Sequence, residues 1–391
     1  MSIKGKAYIV GIYEHPTRLA TDKTVPMLHA EVSKGALEDC GLSKDDIDGF
    51  FCASGDTPGL GPLSMIDYLG LKLKHMDSTD TGGSSYTLHV GHIAETIAAG
   101  KCSVALLTLA GRPRAEGMAT GTAPRSPPVP FPETGFELPY GPATANMYAM
   151  CAMRHMHEYG TTSEQLAEIK VAASHHAQHN PHAMLRDLVT VEEVVNSPMI
   201  ADPLHRLDCC VISDGGGALI MANEEVARSL SKHPLVRVMG TGEAAKNQMG
   251  GKVDLTYSGA VRSGPLAFGE AGVKPTDIKY ASIYDSFTIT VLMQLEDLGF
   301  CEKGQGGKFV SGGNLISGVG KLPFNTDGGG LCNNHPSNRG GITKVLEAVR
   351  QLRGEAHPAV QVKNCDIALA HGTGGSLGTR HGSSTVIMER V

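Results

Sequence analysis

The sequence has no C-x-x-C pair, no block of basic residues, and no apolar run approaching the roughly 18 residues that a membrane helix needs. Each absence removes a class of protein. The nine cysteines (40, 52, 102, 151, 209, 210, 301, 332 and 365) are an odd number, and several lie inside apolar runs. Free, mostly buried thiols in a reducing cytoplasm are expected, not a disulfide framework. The net charge of -6, from 34 Lys+Arg against 40 Asp+Glu, is spread along the chain in both signs. That balance argues against nucleic acid or a membrane surface as the main partner. Met1 to Lys6 lead straight into a short apolar segment, with no secretory h-region and no small-residue cleavage site, so neither export by that route nor membrane insertion is expected. Glycine, in contrast, is abundant: 49 of 391 residues, well above the usual share of about 7%. Such a chain needs many tight turns and close backbone approaches. Its length allows two or three compact units.

Strand and helix signals alternate. Ala7–Tyr13 is a short apolar β-type run, and Val25–Cys40 has helix periodicity closed by Gly41. Ile47–Cys52 is a second strand candidate, and Ser103–Leu109 is nearly all apolar, as a parallel strand covered on both faces would be. Between them Tyr86, Val90, Ile93 and Ile97 recur at steps of 4, 3 and 4, which predicts an amphipathic helix ending at Gly100. The order predicts an α/β fold with crossover connections.

The chain also repeats itself. Ala36-Leu37-Glu38-Asp39-Cys40-Gly41-Leu42, then Asp46-Ile47, matches Ala267-Phe268-Gly269-Glu270-Ala271-Gly272-Val273, then Asp277-Ile278. Both read as helix end, glycine cap, turn and strand. Cys102–Leu106 pairs in the same way with Cys365–Leu369. Two similar halves follow, 1–235 and 236–391, the first interrupted at about 111–208 by a Pro- and Gly-rich stretch (Pro124 to Pro142) and two helix-like segments, Met147–Tyr159 and Ser163–His179. A long insertion of this kind is usually functional.

Four local motifs then stand in order: Met156-His157-Glu158-Tyr159-Gly160-Thr161-Thr162, Ser213-Asp214-Gly215-Gly216-Gly217-Ala218, Asp327-Gly328-Gly329-Gly330 leading to Asn334-His335-Pro336, and His371-Gly372-Thr373-Gly374-Gly375. With the halves and the insertion they resemble the thiolase superfamily, especially its sterol-carrier-protein-type branch, over essentially the whole chain. The resemblance implies a thiolase fold: two β-α-β-α-β-α-β-β halves in a five-layered α-β-α-β-α core, with a loop domain covering coenzyme A as substrate. It also implies a nucleophilic cysteine at the start of the helix before Gly100. Counting back by the family's spacing lands on Gly83, and no cysteine lies between Cys52 and Cys102. Cys52-Ala53-Ser54-Gly55 spells the nucleophile motif one repeat unit too early and is read as a decoy.

The site residues carried over are Tyr284, His335 and His371. Tyr284, in Tyr284-Asp285-Ser286-Phe287 before a Phe287–Leu298 helix, stands where relatives place an oxyanion-hole Asn or His, and a phenol can donate a hydrogen bond or move a proton. His335 matches the histidine of the family's Gly-His-Pro motif. His371 stands where the sterol-carrier branch has a histidine acid/base. Backbone N–H groups at Gly83, Gly372 and Gly374 could form an oxyanion hole. Cys332 and Ser84 are secondary candidates, Cys332 being read chiefly as a buried bystander. His175, His176, His179 and His182 are expected to form a solvated or ligand-lining helix face, and no metal is expected in this chain.

Without an enzymic cysteine, CoA's own thiol could attack a 3-oxoacyl-CoA directly. The resemblance to the large subunit of 2-benzoylsuccinyl-CoA thiolase, at Gly11-Ile12-Tyr13-Glu14-His15-Pro16-Thr17-Arg18 and in the glycine-for-cysteine region, implies cleavage of 2-benzoylsuccinyl-CoA with CoA to benzoyl-CoA and succinyl-CoA. Steroid side-chain retro-aldolases are similar at Tyr284–Phe287 but carry a second tyrosine near the Asn334 position, so retro-aldol cleavage of a 3-hydroxyacyl-CoA stays open, as does a non-catalytic acyl-CoA-binding subunit. Both enzyme groups imply a small zinc-ribbon and OB-fold subunit on a homodimer core, an α2β2 assembly.

Overall fold

The computed structural model describes residues 2–120, 134–230, 232–247, 251–336 and 340–391. Of the Pro- and Gly-rich stretch, residues 124–133 lie outside the described ones. The first half runs β1 (Ala7–Glu14), α1 (Val25–Cys40), β2 (Gly49–Phe51), α2 (Pro62–Leu69), β3 (His75–Asp77), α3 (Ser85–Ala98) and β4 (Val104–Gly111). The insertion then contributes α4 (Thr134–Glu137), α5 (Thr144–Tyr159), α6 (Ser163–Ala177), α7 (Val191–Val195) and the short pair β5 (Met199–Ala201) and β6 (Leu204–His205), before β7 (Gly215–Asn223) and α8 (Glu224–Ser229). The second half runs β8 (Val236–Lys246), α9 (Ala260–Ala271), β9 (Tyr280–Ile283), α10 (Thr288–Asp297), α11 (Gly306–Val310), α12 (Gly329–Cys332), α13 (Gly341–Arg353), β10 (Ile367–Gly375) and β11 (His381–Arg390).

The repeat seen in the sequence has a local physical basis. Helix α1 starts where the Thr24 side chain accepts the Met27 N–H and Pro26 occupies the first turn, and it stops at Gly41 with φ 81. Helix α9 stops in the same way at Gly272, with φ 72. Each is followed by a 3-10 turn, Lys44–Asp46 and Pro275–Asp277, tied by matching bonds: Ser43 N–H to Asp46 Oδ2 and Lys274 N–H to Asp277 Oδ2, both 2.8 Å. That turn takes up the residues before Gly49, which shortens the strand predicted over 47–52. The halves differ at their third strand. It is β3 in the first half, but the corresponding pairing in the second is a single bridge between Ala281 and Phe324.

Nine strands form one sheet in the order β3-β2-β4-β7-β1-β8-β11-β10-β9, and β5 pairs with β6 apart from it. Within the sheet the strands of the two halves meet at β1 and β8, at Tyr8–Arg237 and Ile9–Val236. Three apolar clusters define the layers. One lies between α1, α2 and the first-half strands (Val32, Ala36, Phe50, Met65, Leu106, Ile220). A central one packs α3 and α13 between both sets of strands (Tyr86, Val90, Ile342, Val345, Leu219, Val386). The third lies under α9, α10 and the insertion (Ala267, Ile289, Leu292, Leu369, Ile387). This is the five-layered arrangement expected, with α3 and α13 as the buried middle. Among the described residues no helix is long and apolar enough to cross a membrane.

Six buried histidines make the fold acid-sensitive. Burial lowers His29, His89, His335 and His381 to about 4 and His176 and His371 to about 3, against about 6.5 in an unfolded chain. Above pH 6.5 these groups are neutral in both states and cost nothing. Below it the unfolded chain takes up protons that the folded chain refuses, so stability falls as pH drops from 6.5 towards 4. Urea unfolding at pH 7 and pH 5 should show a much lower midpoint at pH 5; equal midpoints would contradict the burial.

Candidate active site

Helix α3 begins at a 3-10 turn, Gly82–Ser84, with Gly82 at φ 68, so the N–H groups of the first turn and the positive end of the dipole gather there. This is where a nucleophile would be activated. A Cβ placed on Gly83, however, would lie well inside contact distance of the Thr373 carbonyl oxygen and of the Tyr284 hydroxyl and ring. Only glycine fits, because the phenol of Tyr284 fills the space that any side chain at position 83 would need.

Tyr284 follows β9. Its N–H bonds to the His371 carbonyl at 3.0 Å, and its own carbonyl accepts from Gln294 Nε2 at 2.7 Å. With the backbone fixed on both sides, the hydroxyl lies 2.8 Å from His335 Nε2, the rings meeting edge-on at 76°. His335 is held in turn by its N–H to Ser213 Oγ at 3.0 Å. The α12 turn just before it is fastened by Asp285, whose carboxylate accepts the Gly330 and Leu331 N–H groups at 2.9 and 3.1 Å and the Lys344 ammonium at 2.6 Å. From the insertion, Lys170 Nζ reaches the Leu331 carbonyl at 2.6 Å and Cys332 Sγ at 3.1 Å. Asn334 bonds to the buried Glu14, which Arg18 and Arg350 hold ionised, at about 2. Burial raises Tyr284 well above the ordinary phenol range and lowers His335 to about 4. The pair is therefore neutral on both sides at physiological pH, with one shared proton direction set by the His335 tautomer. Such a pair can donate to, or accept from, a substrate oxygen or thiol without creating a buried charge first.

The structure brings together Gly83, Gly372, Gly374, Tyr284 and His335. A Cβ on Gly372 would press on Thr87 Oγ1 and Ser84 Cα, and one on Gly374 on the Thr81 carbonyl and the Gly83 nitrogen, so both glycines face the start of α3. His371 is not among them. Side chains alternate along β10, and His371 points to the opposite face, with Nδ1 2.9 Å from Thr385 Oγ1 and Nε2 3.4 Å from Ser383 Oγ. The expected acid/base role for His371 does not survive that placement; the residue turned towards Gly83 is its neighbour Gly372. Ser84 Oγ is bonded within its own turn, to Thr81 Oγ1 and O at 3.0 Å. Cys332 is buried against Lys170, and burial raises its thiol. Cys52 is buried beside β2 and pushed up to about 12. Of the four histidines expected on a solvated or ligand-lining face, His179 and His182 line a cavity, whereas His176 turns inward and accepts the Ser317 N–H at 2.9 Å. Among the described residues no group of three metal-ligating side chains converges.

Sequence reasoning missed Asp285 and Tyr148. Asp285 could have been found, since it directly follows Tyr284 and is a carboxylate in an otherwise apolar strand end. Tyr148 lies in the insertion with no motif around it, yet its ring packs on Phe287 with centroids 4.5 Å apart. A cavity of about 280 Å³ lies elsewhere, behind Glu14 and between Arg18, His179, His182 and Arg350; Glu14 links it to the site by its bonds to Asn333 and Asn334.

Residues 242–390 match the family model described as Thiolase C-terminal domain-like. Over 90% of this chain and 91% of the relative, the sequence is 33% identical to a steroid side-chain-cleaving aldolase of Thermomonospora curvata. The chain belongs to the thiolase superfamily. It is also 35% identical to the benzoylsuccinyl-CoA thiolase subunit BbsB of Thauera aromatica, over 64% of this chain and 66% of that one, so less than two thirds of BbsB is spanned. The solved structure of an Ltp2-ChsH2(DUF35) aldolase superposes with a TM-score of 0.87 and 30% identity, covering 99% of this chain and 98% of that one.

Proposed function

We propose that this protein is a thiolase-type acyltransferase that breaks the carbon–carbon bond of a 3-oxoacyl-CoA with free CoA, and that it does so without an acyl-enzyme. The observation that carries the reading is the Tyr284 hydroxyl standing where the side chain of residue 83 would be, in contact with His335. CoA's thiol gives its proton to the Tyr284–His335 pair and its sulfur bonds to the ketone carbon. The oxygen of the tetrahedral adduct is met by backbone N–H groups around Gly83 and Gly374. Collapse breaks the bond to the α-carbon, and the departing thioester enolate takes the proton back from the pair. The substrate favoured is 2-benzoylsuccinyl-CoA, giving benzoyl-CoA and succinyl-CoA; the similarity to BbsB supports it.

Retro-aldol cleavage of a 3-hydroxyacyl-CoA is the second reading. The near full-length similarity to a steroid side-chain-cleaving aldolase favours it, and so does its simpler demand, one thioester and a base for the hydroxyl proton. A small zinc-ribbon and OB-fold subunit on a homodimer core, in an α2β2 assembly, belongs to the same proposal; what supports a partner is that BbsB is named as a subunit and the similar aldolase as an Ltp2-ChsH2(DUF35) pair. Mass-spectrometric product analysis decides between the readings, using the protein alone and with its co-purifying subunit on 2-benzoylsuccinyl-CoA and on a steroid 3-hydroxyacyl-CoA. Cleavage that needs free CoA and leaves no acyl adduct on the protein is the expected result. Cleavage of the hydroxyacyl thioester without CoA selects the retro-aldol reading. No turnover in any combination leaves a CoA-thioester-binding subunit.

A further inference from the structure

The insertion grips the β10–β11 turn from one side. Glu137, on α4, pairs through both carboxylate oxygens with Arg380 Nη2 at 2.8 Å. On α5, Met147 Sδ accepts the Ser376 hydroxyl at 3.2 Å, and Tyr148 donates its hydroxyl to the Gly375 carbonyl at 3.2 Å. Tyr148 is 3% exposed, and its ring is seated on Phe287, so the hydroxyl is delivered from a fixed platform.

Gly375 is the last residue of β10 and has φ 74, a conformation without side-chain restraint of its own. Its nitrogen lies 3.1 Å from where a Cβ of Gly82 would be, and the preceding Gly374 lies against the Gly83 nitrogen. Gly374 and Gly375 are paired with Gly382 and His381 of β11, but β9 pairs with β10 only as far as His371, so beyond the end of β9 the backbone over the α3 start has no strand on its other side. We propose that Tyr148 is a positioning residue that, through Gly375, sets the Gly374–Gly375 backbone against Gly82–Gly83 and so couples the insertion to the site. This rests on the reading of Gly83 and Gly374 as oxyanion donors. Burial raises the Tyr148 phenol, which keeps the hydroxyl protonated and donating.

The test is Tyr148→Phe, which removes one O–H and leaves the ring on Phe287. Two readouts are taken on the full chain with any co-purified subunit: hydrogen–deuterium exchange of peptides spanning residues 367–378, and kcat and KM on the thioester that the wild type cleaves. The expected result is exchange in those peptides faster by about fivefold, the worth of one hydrogen bond, with other peptides unchanged. With it kcat falls by a similar factor at an unchanged KM and an unchanged pH profile, since Tyr148 itself is not the group that moves a proton. Faster exchange spread over the whole chain, or unchanged exchange with unchanged kcat, overturns the proposal. If the wild type cleaves no thioester, the C–C cleavage reading fails, while local exchange still decides whether Tyr148 holds the turn.

Discussion

Tyr284→Phe is expected to leave the fold intact and to lower kcat by about three orders of magnitude, within the range of 10² to 10⁴ that a positioned acid/base supplies. The phenyl ring would still fill the space over Gly83 and still follow β9 with both its backbone bonds, so the change isolates the hydroxyl. His335→Gln should cost about as much, because the histidine works on the same proton 2.8 Å away. The double variant should be no worse than either single one, as for groups that act as a unit. Burial raises one partner and lowers the other to about 4, so the rate should be flat through neutral pH and fall only where His335 takes a proton and stops accepting. A Tyr284→Phe enzyme within threefold of wild type, measured by steady-state kinetics on the cleaved thioester, would sink the proposed chemistry.

How much of this could be read from the sequence depended on the scale of the interaction. Helix α1 was legible to the residue because its periodicity and its terminal glycine are local signals, and the matching glycine stop at Gly272 was part of the repeat. That position 83 carries no side chain was legible in the sequence. That Tyr284 fills it was not, since the contact joins residues 201 positions apart and no spacing rule reports it. His371 was misplaced for a reason internal to strands: a motif fixes a position, but a shift of one residue along β10 turns the imidazole to the far face, among Thr385 and Ser383. The loss of the third strand in the second half was hidden for a related reason. Phe324 keeps the apolar character of a strand residue and one bridge to Ala281, while the pairing around it is gone. Asp285 and Lys344 show the converse. Each is an ordinary charged residue in the sequence, and only the fold makes them a buried pair at 2.6 Å that holds the turn before His335.

Returning a cysteine to the family's nucleophile position should fail, and the way it fails tests how the site is built. In Gly83→Cys the new Cβ meets two obstacles of different kinds. The Tyr284 hydroxyl is the far end of a side chain and could move if its bond to His335 were broken. The Thr373 carbonyl belongs to β10, which is paired at that residue to Ser383 of β11, so it is main chain and cannot yield without disturbing that ladder. Overpacking of this kind typically costs about 1 to 3 kcal/mol, which for a chain of this size lowers Tm by roughly 5 °C. Gly83→Ala, which adds the same Cβ without a thiol, should therefore show a similar Tm loss and a loss of turnover, and adding Tyr284→Ala should recover only part of the stability, because the carbonyl remains. Intact-mass analysis of Gly83→Cys after incubation with an acyl-CoA should find no acyl adduct. An adduct on a stably folded Gly83→Cys protein would mean that Tyr284 and β10 give way easily, and the tyrosine would then be a bystander in a thiolase short of one side chain rather than the group that replaced it.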